Sequence, residues 1–113
     1  MSLSIRRSCL EGTIVVPPSK SHTLRSLIFA FMAHGKSKII NPLHGKDTFS
    51  MLKVLSQLGA LVAFEKENLW ITGIGKMMPK VHEPIINAGN SGQILRFITP
   101  LVSLFDQEFT ITG

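Results

Sequence analysis

One stretch organises this sequence: Pro17-Pro18-Ser19-Lys20-Ser21-His22-Thr23-Leu24-Arg25, where two prolines precede a hydroxyl-rich, cationic helix start. Proline cannot donate to a strand ladder, so the stretch predicts the end of a strand and the beginning of a helix. The first N–H groups of a helix lack intrahelical partners, and its macrodipole is positive at that end. Ser21 and Arg25 are four residues apart and therefore share one helix face. The stretch predicts a phosphate or carboxylate site.

A capped helix with solvent-exposed cations is the plainer interpretation of the same residues, since Ser is a common N-cap. Against it, Lys20 and Arg25 fall in the first turns, where cations oppose the macrodipole at a cost of about a few tenths of a kcal/mol each. A bound anion would reverse that sign. The local pattern leaves both interpretations open.

Composition limits the class of protein. The 113 residues are 44% hydrophobic and 17% charged, which is typical of one globular domain. The net charge of +5 comes from scattered cations without a basic run, which favours small acidic ligands over nucleic acid. The single cysteine, Cys9, excludes a disulfide framework. No apolar run is long enough to span a membrane and Arg6-Arg7 interrupt any signal peptide, so we expect a cytoplasmic protein with no membrane partner.

The hydrophobic periods predict alternating strands and helices. The expected elements of the first half are a strand at Glu11–Val16, a helix over about 20–34 closed by Gly35, a strand at Lys38–Asn41, and a helix capped by Asp47 and stopped by Gly59. Those of the second half are a hairpin at 61–64 and 68–73, a loop at 74–83, a helix after Gly92 that Pro100 kinks or ends early, and a strand at Glu108–Thr112. This order predicts a layered α/β fold.

A second helix start repeats the arrangement of the first. Gly89-Asn90-Ser91-Gly92 precedes an apolar helix, and Gly92-x3-Arg96 matches the spacing of Ser21-x3-Arg25. Taken alone, the glycine-rich turn is better explained as an ordinary turn with an N-cap than as a ligand site. Two such helix ends in one domain favour a ligand with two acidic groups, or two anions side by side. Asp47 is better explained as a helix cap than as a catalytic carboxylate.

No metal is predicted, because the four histidines show no pair at metal-ligand spacing and no cysteine partner. They are His22, His34, His44 and His82.

Three segments together resemble the 5-enolpyruvylshikimate-3-phosphate synthase family. Residues 17–25 are similar to its opening motif P-G-S-K-S-x-S-x-R, and residues 41–52 are similar to N-x-L-x-S-x-D-T-x-x-M-L. Residues 89–96 are similar to G-N-[AS]-G-T-x-x-R. The three come in the family's order and spacing, and the similarity runs across residues 10–113.

The resemblance implies a particular fold and extent. The family has two lobes forming an inside-out α/β barrel, and each lobe contains three βαβαββ units. Residues 1–16 would be a first strand that belongs to the second lobe, and residues 17–113 would be the first unit of the first lobe plus the start of the next. We therefore expect an N-terminal part of such an enzyme, with no turnover on its own.

The resemblance also implies an activity and roles for site residues. The family transfers the enolpyruvyl group of phosphoenolpyruvate to the 5-hydroxyl of shikimate 3-phosphate, in the shikimate pathway, without a cofactor. Lys20 would be catalytic and touch both substrates, and Ser21 and Arg25 would hold shikimate 3-phosphate. The phosphoenolpyruvate pocket would be lined by Asn90 and Gly92 and supported by Asp47 and Arg96. The full-length enzyme would be a monomer, whereas an incomplete lobe would expose apolar surface that self-association covers.

The sequence departs from the family pattern at three positions beside this pocket. Pro18 stands in place of glycine, Gln93 in place of threonine, and Phe97 where proline often follows. Two alternatives remain at this point. One is the related transferase that acts on UDP-N-acetylglucosamine, which usually has Lys-Asn where this chain has Lys20-Ser21. The other is a non-enzymatic anion-binding module.

Overall fold

In the described residues, five strands form two small sheets, and three helices pack against them. A computed structural model describes residues 2–113. In chain order the elements are α1 (Lys20–Met32), β1 (His34–Ile39), α2 (Lys46–Gln57), β2 (Leu61–Glu65), β3 (Asn68–Ile74), β4 (Ile85–Asn87), α3 (Gly92–Val102) and β5 (Thr110–Thr112). An antiparallel sheet has the order β1-β3-β2, and β4 pairs with β5 in parallel. The α/β class expected from the sequence is confirmed.

The core lies between α1, α2 and one face of the three-stranded sheet. The fully buried side chains here are Leu24, Leu27 and Phe31 of α1, Met51 and Leu55 of α2, and Leu69 and Ile71 of β3. Their spacing is three or four residues on the helices and two on the strand, so each element turns one apolar face inward. Each such side chain contributes about 1.5–3 kcal/mol by leaving water.

Gly73 in β3 allows the end of α1 to lie directly on the sheet. A Cβ atom at this position would come within 2.3 Å of the carbonyl oxygens of Ala30 and Ala33. The amide of Gly75 donates to the same Ala33 oxygen at 3.1 Å. The strand therefore fixes where α1 ends, and with it the direction in which the start of α1 projects.

The predicted end of α1 is wrong by two residues. The helix ends at Met32, with Ala33 as an extended C-cap, and Gly35 lies inside β1 opposite Gly73. The strand expected at Lys38–Asn41 instead runs from His34 to Ile39. Pairing with β3 draws this segment into the ladder earlier than its own apolar pattern indicates, because a strand takes its ends from its partner.

The predicted N-cap of α2 is also wrong, whereas its predicted end is confirmed. Gly45 is the N-cap, without a side-chain hydrogen bond, and Asp47 lies in the first turn. Gly59 has a φ of +107° and follows the last turn, where its N–H bonds to the Ser56 oxygen at 3.1 Å. The Ala60 N–H bonds to the Leu55 oxygen at 2.9 Å, which completes a Schellman motif. Asp47 instead forms an ion pair with Lys20 of α1.

The hairpin is confirmed, since β2 and β3 pair antiparallel up to Glu65 and Asn68. The final strand is shorter than expected, Thr110–Thr112, and β4 supplies its parallel partner. Pro100 lies inside α3, which ends two residues later at Val102.

The strand expected at Glu11–Val16 does not form. Residues 2–19 contain no helix or strand, and Ile14, Val15 and Val16 are 83%, 97% and 71% exposed. A strand needs a neighbour to satisfy its N–H and C=O groups. The assignment of residues 1–16 to a second lobe, and of 17–113 to the first, stays a prediction, and Met1 of that range lies outside the described residues.

Candidate functional site

The starts of the three helices in residues 2–113 lie next to one another. The Nζ of Lys20 in α1 lies 2.9 Å from Oδ2 of Asp47 in α2. The Nε2 of Gln93 in α3 donates to Oγ of Ser21 in α1 at 2.8 Å. We call these three first turns, together with Arg25 in the next turn of α1, the helix-start site. Because the first N–H groups of a helix lack intrahelical partners, the site combines three positive helix ends.

The first turn of α1 is set by Ser19. Its side chain caps the helix by accepting from the His22 N–H at 3.3 Å. Lys20 and Ser21 are then the first two helical residues, and no acidic residue occupies this turn. The carboxylate of Asp47, which reaches Lys20 from α2, offsets the unfavourable placement of a cation at a positive helix end. Lys20 is 52% exposed, so this ion pair contributes less than about 1 kcal/mol.

Two buried threonines hold the loop before α2 against α1. Thr23 Oγ1 accepts from the Leu43 N–H at 2.9 Å, and Thr48 Oγ1 donates to the Leu43 oxygen at 2.5 Å. The two side chains are 5% and 1% exposed. Both bonds fix the entry to α2 and therefore place Asp47 opposite Lys20. Sequence reasoning missed these residues, although Thr23 shares the buried face with Leu27, where a hydroxyl has to find a partner.

The turn before α3 is shaped by side-chain bonds to its backbone. Ser91 caps the helix by accepting from the Ile94 N–H, and it is 8% exposed. Asn87 Oδ1 accepts from the Gly89 N–H at 2.8 Å, and Gly89 has a φ of +62°. A Cβ on Gly89 would lie 3.3 Å from Ser50 Oγ, so this turn passes close to α2.

Asn90 and Gly92 lie exposed at the start of α3. A Cβ on Gly92 would meet no atom within 4 Å, so open space faces this residue. Arg96 is exposed one turn further along α3 and takes no part in the side-chain hydrogen bonds or ion pairs found within residues 2–113. The structure therefore gathers Lys20, Ser21 and Asp47 directly, and does not bring Arg96 into that contact network.

Arg25 lies one turn beyond Ser21 and contacts α3. Its Cζ lies 5.9 Å from the centre of the Phe97 ring. Within residues 2–113 no carboxylate comes within 4 Å of its guanidinium, unlike Lys20. An open apolar recess of about 180 Å³, lined by Arg25, Ile28, Phe29 and Phe97, continues from this point between α1 and α3. A planar guanidinium without an acidic partner is suited to a phosphate or carboxylate.

The described residues offer neither a metal site nor a membrane-spanning helix. In the part of the chain that the structure describes, no three His, Cys, Asp or Glu side chains are placed to hold a metal ion. No helix among those residues is long and apolar enough to cross a membrane. The chemistry that the helix-start site offers is anion binding by hydroxyl, amide and cationic donors, with one carboxylate, Asp47, already paired.

Comparison with known proteins identifies relatives of the whole stretch. The family model described as EPSP synthase (3-phosphoshikimate 1-carboxyvinyltransferase) matches residues 6–113. The chain is 40% identical over 114 residues to a 3-phosphoshikimate 1-carboxyvinyltransferase of Chlamydia caviae, covering 100% of this chain and 25% of the relative. It is 42% identical over 113 residues to that of Acetivibrio thermocellus, covering 100% of this chain and 26% of the relative.

A solved structure agrees with these relatives. The EPSP synthase from Acinetobacter baumannii superimposes with a TM-score of 0.80 at 26% identity, over 90% of this chain and 23% of that one. The chain thus spans about a quarter of the length of the proteins it matches.

Proposed function

The chain belongs to the EPSP synthase family, and from this we propose that its helix-start site binds shikimate 3-phosphate and phosphoenolpyruvate as part of an enolpyruvyl-transfer site. In that reaction the 5-hydroxyl oxygen of shikimate 3-phosphate bonds to the enol carbon of phosphoenolpyruvate. The bond from that carbon to the phosphate oxygen breaks, and the hydroxyl proton leaves with the phosphate. Both substrates carry a phosphate and a carboxylate, so the site must hold several negative charges close together.

The observation that carries this proposal is the convergence of three helix starts through the Lys20–Asp47 and Gln93–Ser21 contacts. Donors and cations that are fixed before substrate binds lose little free energy in reorganising when charge shifts during reaction. One positive helix end is common in proteins, whereas three ends joined by direct side-chain contacts suit a ligand set with several anionic groups.

We assign a role to each side chain of α1 in the site from its position. Ser21 and Arg25 share one face of α1, and we assign to them the phosphate of shikimate 3-phosphate. Arg25 suits this role because it has no acidic partner among the described residues. The side chain of Lys20 reaches from α1 to Asp47 of α2, and its mobile ammonium can move from there to a substrate anion. We assign to it contact with both substrates and stabilisation of charge during transfer.

The start of α3 is assigned to phosphoenolpyruvate. Asn90 can donate through its side-chain amide. Gly92 faces open space at a helix start, where the first N–H groups lack intrahelical partners. Asp47 supports the site by holding Lys20. Arg96 is kept in the proposal as a supporting residue on the strength of the sequence pattern alone.

The direct test is a titration of the ¹⁵N-labelled 113-residue chain with shikimate 3-phosphate, followed by amide chemical shifts. We expect the largest saturable shifts at residues 19–25, and a loss of binding in Lys20→Met. Lys53→Met removes an exposed cation of α2 outside the helix-start site and serves as the matched control. Shifts that spread evenly over all exposed lysines would contradict a defined site, and preferential binding of UDP-N-acetylglucosamine would assign the chain to the related transferase.

A second measurement separates binding from catalysis. We expect phosphate release from the two substrates to stay at background with this chain, because the chain spans about a quarter of the length of the transferases that it matches. Phosphate release above that of Lys20→Met would show that these residues suffice for transfer.

A further inference from the structure

We propose that Gln93 is a positioning residue that orients the Ser21 hydroxyl so that its proton points to the phosphate of the bound substrate. The inference rests on the proposed function, because it concerns the same site. It assigns to α3 a role in the half of the site that α1 provides.

The hydrogen bond between the two residues sets a direction. Gln93 Nε2 donates to Ser21 Oγ at 2.8 Å, across 72 residues of sequence. A serine hydroxyl has one proton to donate and two lone pairs to accept with. Since one lone pair is occupied by Gln93, the hydroxyl cannot donate back along the same line. Within residues 2–113 the Ser21 O–H has no acceptor of its own, which leaves its proton available to an anion in the site.

The environment of Gln93 indicates that the contact to Ser21 is what holds the side chain. Its Oε1 is buried and has no hydrogen-bond partner among the described residues. A buried amide oxygen without a partner costs free energy. The side chain is therefore not placed to satisfy its own carbonyl, and the bond from Nε2 to Ser21 is its one polar anchor in the described structure.

A second contact one turn along repeats the arrangement. Arg25 follows Ser21 by four residues on α1, and Phe97 follows Gln93 by four residues on α3. The guanidinium of Arg25 lies over the Phe97 ring at 5.9 Å. Both residues of α1 that we assign to the phosphate are thus braced by α3. Gln93 and Phe97 are also two of the positions where the sequence departs from the family pattern.

The test is a double-mutant cycle on the affinity for shikimate 3-phosphate. Gln93→Met keeps the length and apolar stem of the side chain but removes its donor, and we expect about tenfold weaker binding. In the Ser21→Ala background the same change should have no further effect, because Gln93 acts through Ser21. Additive losses would overturn the proposal, since they would mean that Gln93 acts on the ligand or on the fold independently.

Gln57→Met is the matched control. Gln57 also joins two elements, because its Nε2 donates to the oxygens of Glu83 and Ile85, the latter at 2.9 Å. This variant should lower stability and leave affinity unchanged. An equal loss of affinity in Gln57→Met and Gln93→Met would reduce Gln93 to a structural residue and overturn the proposal.

A ligand-free measurement separates this inference from the proposed function. The side-chain NH₂ resonances of Gln93 should show slow solvent exchange that Ser21→Ala abolishes and Ser21→Thr retains. If the chain fails to bind shikimate 3-phosphate, the proposed function fails, and these resonances still decide whether Gln93 holds Ser21. Resonances that do not respond to Ser21→Ala would overturn the inference even if the ligand binds.

Discussion

The helix-start site and a second cationic region of this chain contain similar side chains in different surroundings. On the three-stranded sheet, Lys36 and Lys38 lie over the Trp70 ring at 4.5 and 5.0 Å. Glu65 bonds to Lys38 at 2.6 Å and accepts from Trp70 Nε1 at 3.1 Å. We call these four residues the Trp70 cluster. In the helix-start site, by contrast, no carboxylate of residues 2–113 lies within 4 Å of the Arg25 guanidinium, and the Ser21 hydroxyl donates to none of these residues.

The two regions differ in what surrounds their cations. In the Trp70 cluster each cation lies over the indole ring and Lys38 also has a carboxylate, so a new anion has to compete for it. In the helix-start site the cations stand at positive helix ends, where the surrounding dipoles also favour an anion. Lys20 also has a carboxylate and Arg25 also lies over an aromatic ring. Neither net charge nor the kind of partner therefore separates the two regions, whereas the helix ends do.

The largest expected effect comes from Gly73→Ala, which breaks the support that α1 has from the sheet. Its Cβ would come within 2.3 Å of two carbonyl oxygens of α1, so the helix must shift or the strand must bend. We expect a loss of about 3 kcal/mol in the free energy of unfolding. Urea unfolding followed by the fluorescence of Trp70 measures it. Gly45→Ala has no atom within 4 Å of the new Cβ and should cost less than about 1 kcal/mol; equal losses would contradict the role of Gly73.

The next effect compares cations of the two regions directly. Arg25→Met should weaken the binding of shikimate 3-phosphate by about 10- to 100-fold, because a charge-assisted, bidentate contact is lost. Lys38→Met, in the Trp70 cluster, should leave the affinity unchanged. Isothermal titration of both variants measures the contrast. Comparable losses would mean that net positive charge, and not the helix-start site, attracts the ligand.

Gly92→Ala should have a smaller and more selective effect. The added methyl group meets no protein atom within 4 Å, so the free energy of unfolding should change by less than about 0.5 kcal/mol. The methyl group would occupy space that we assign to phosphoenolpyruvate, and we expect about tenfold weaker binding of that ligand. Affinity for shikimate 3-phosphate alone should be retained. Competition titrations with each substrate separate the two, and unchanged binding of both would remove Gly92 from the pocket.

The smallest effect belongs to the Trp70 cluster and depends on pH. The hydrogen bond from Lys38, and next the one from Trp70, lower the pKa of Glu65 below its ordinary value of 4.5. A carboxyl whose pKa is lower in the folded state stabilises the fold above its unfolded pKa. That contribution should disappear as the pH falls below 4.5 and through the lowered value. Glu65→Gln should flatten this part of the stability curve without changing ligand binding at neutral pH, as urea unfolding across this range would show.

The local sequence pattern correctly predicted those elements and ends that depend only on their own residues. The apolar stripe from Leu24 to Phe31 is sufficient to define α1, and Gly59 ends α2 because glycine adopts a positive φ without strain. The prediction errors lie in segments whose structure depends on pairing with another strand. The segment at His34 joins a strand because β3 pairs with it, and residues 11–16 form no strand because no neighbour pairs with them.

The candidate site was predictable as a list of residues and not as an arrangement. The spacing of Ser21 and Arg25 indicated one helix face, and the matching spacing of Gly92 and Arg96 indicated a second helix start. Arg96 nevertheless stays outside the contact network that joins the helices. Nothing in the local pattern indicated that Gln93 reaches Ser21, because a contact across 72 residues depends on how two helices pack.

The sequence by itself determined that two helices begin with hydroxyls, glycines and cations, because capping and helix dipoles act within a few residues of the chain. Only the tertiary structure decided that the start of α2 joins them, since Asp47 serves as the partner of Lys20 instead of as a cap. It also decided which cations have a carboxylate partner. Lys38 has Glu65, whereas no carboxylate of residues 2–113 lies within 4 Å of the Arg25 guanidinium. Charge interactions depend on distance in space, and that distance is set by how α1, α2 and α3 pack against the sheets.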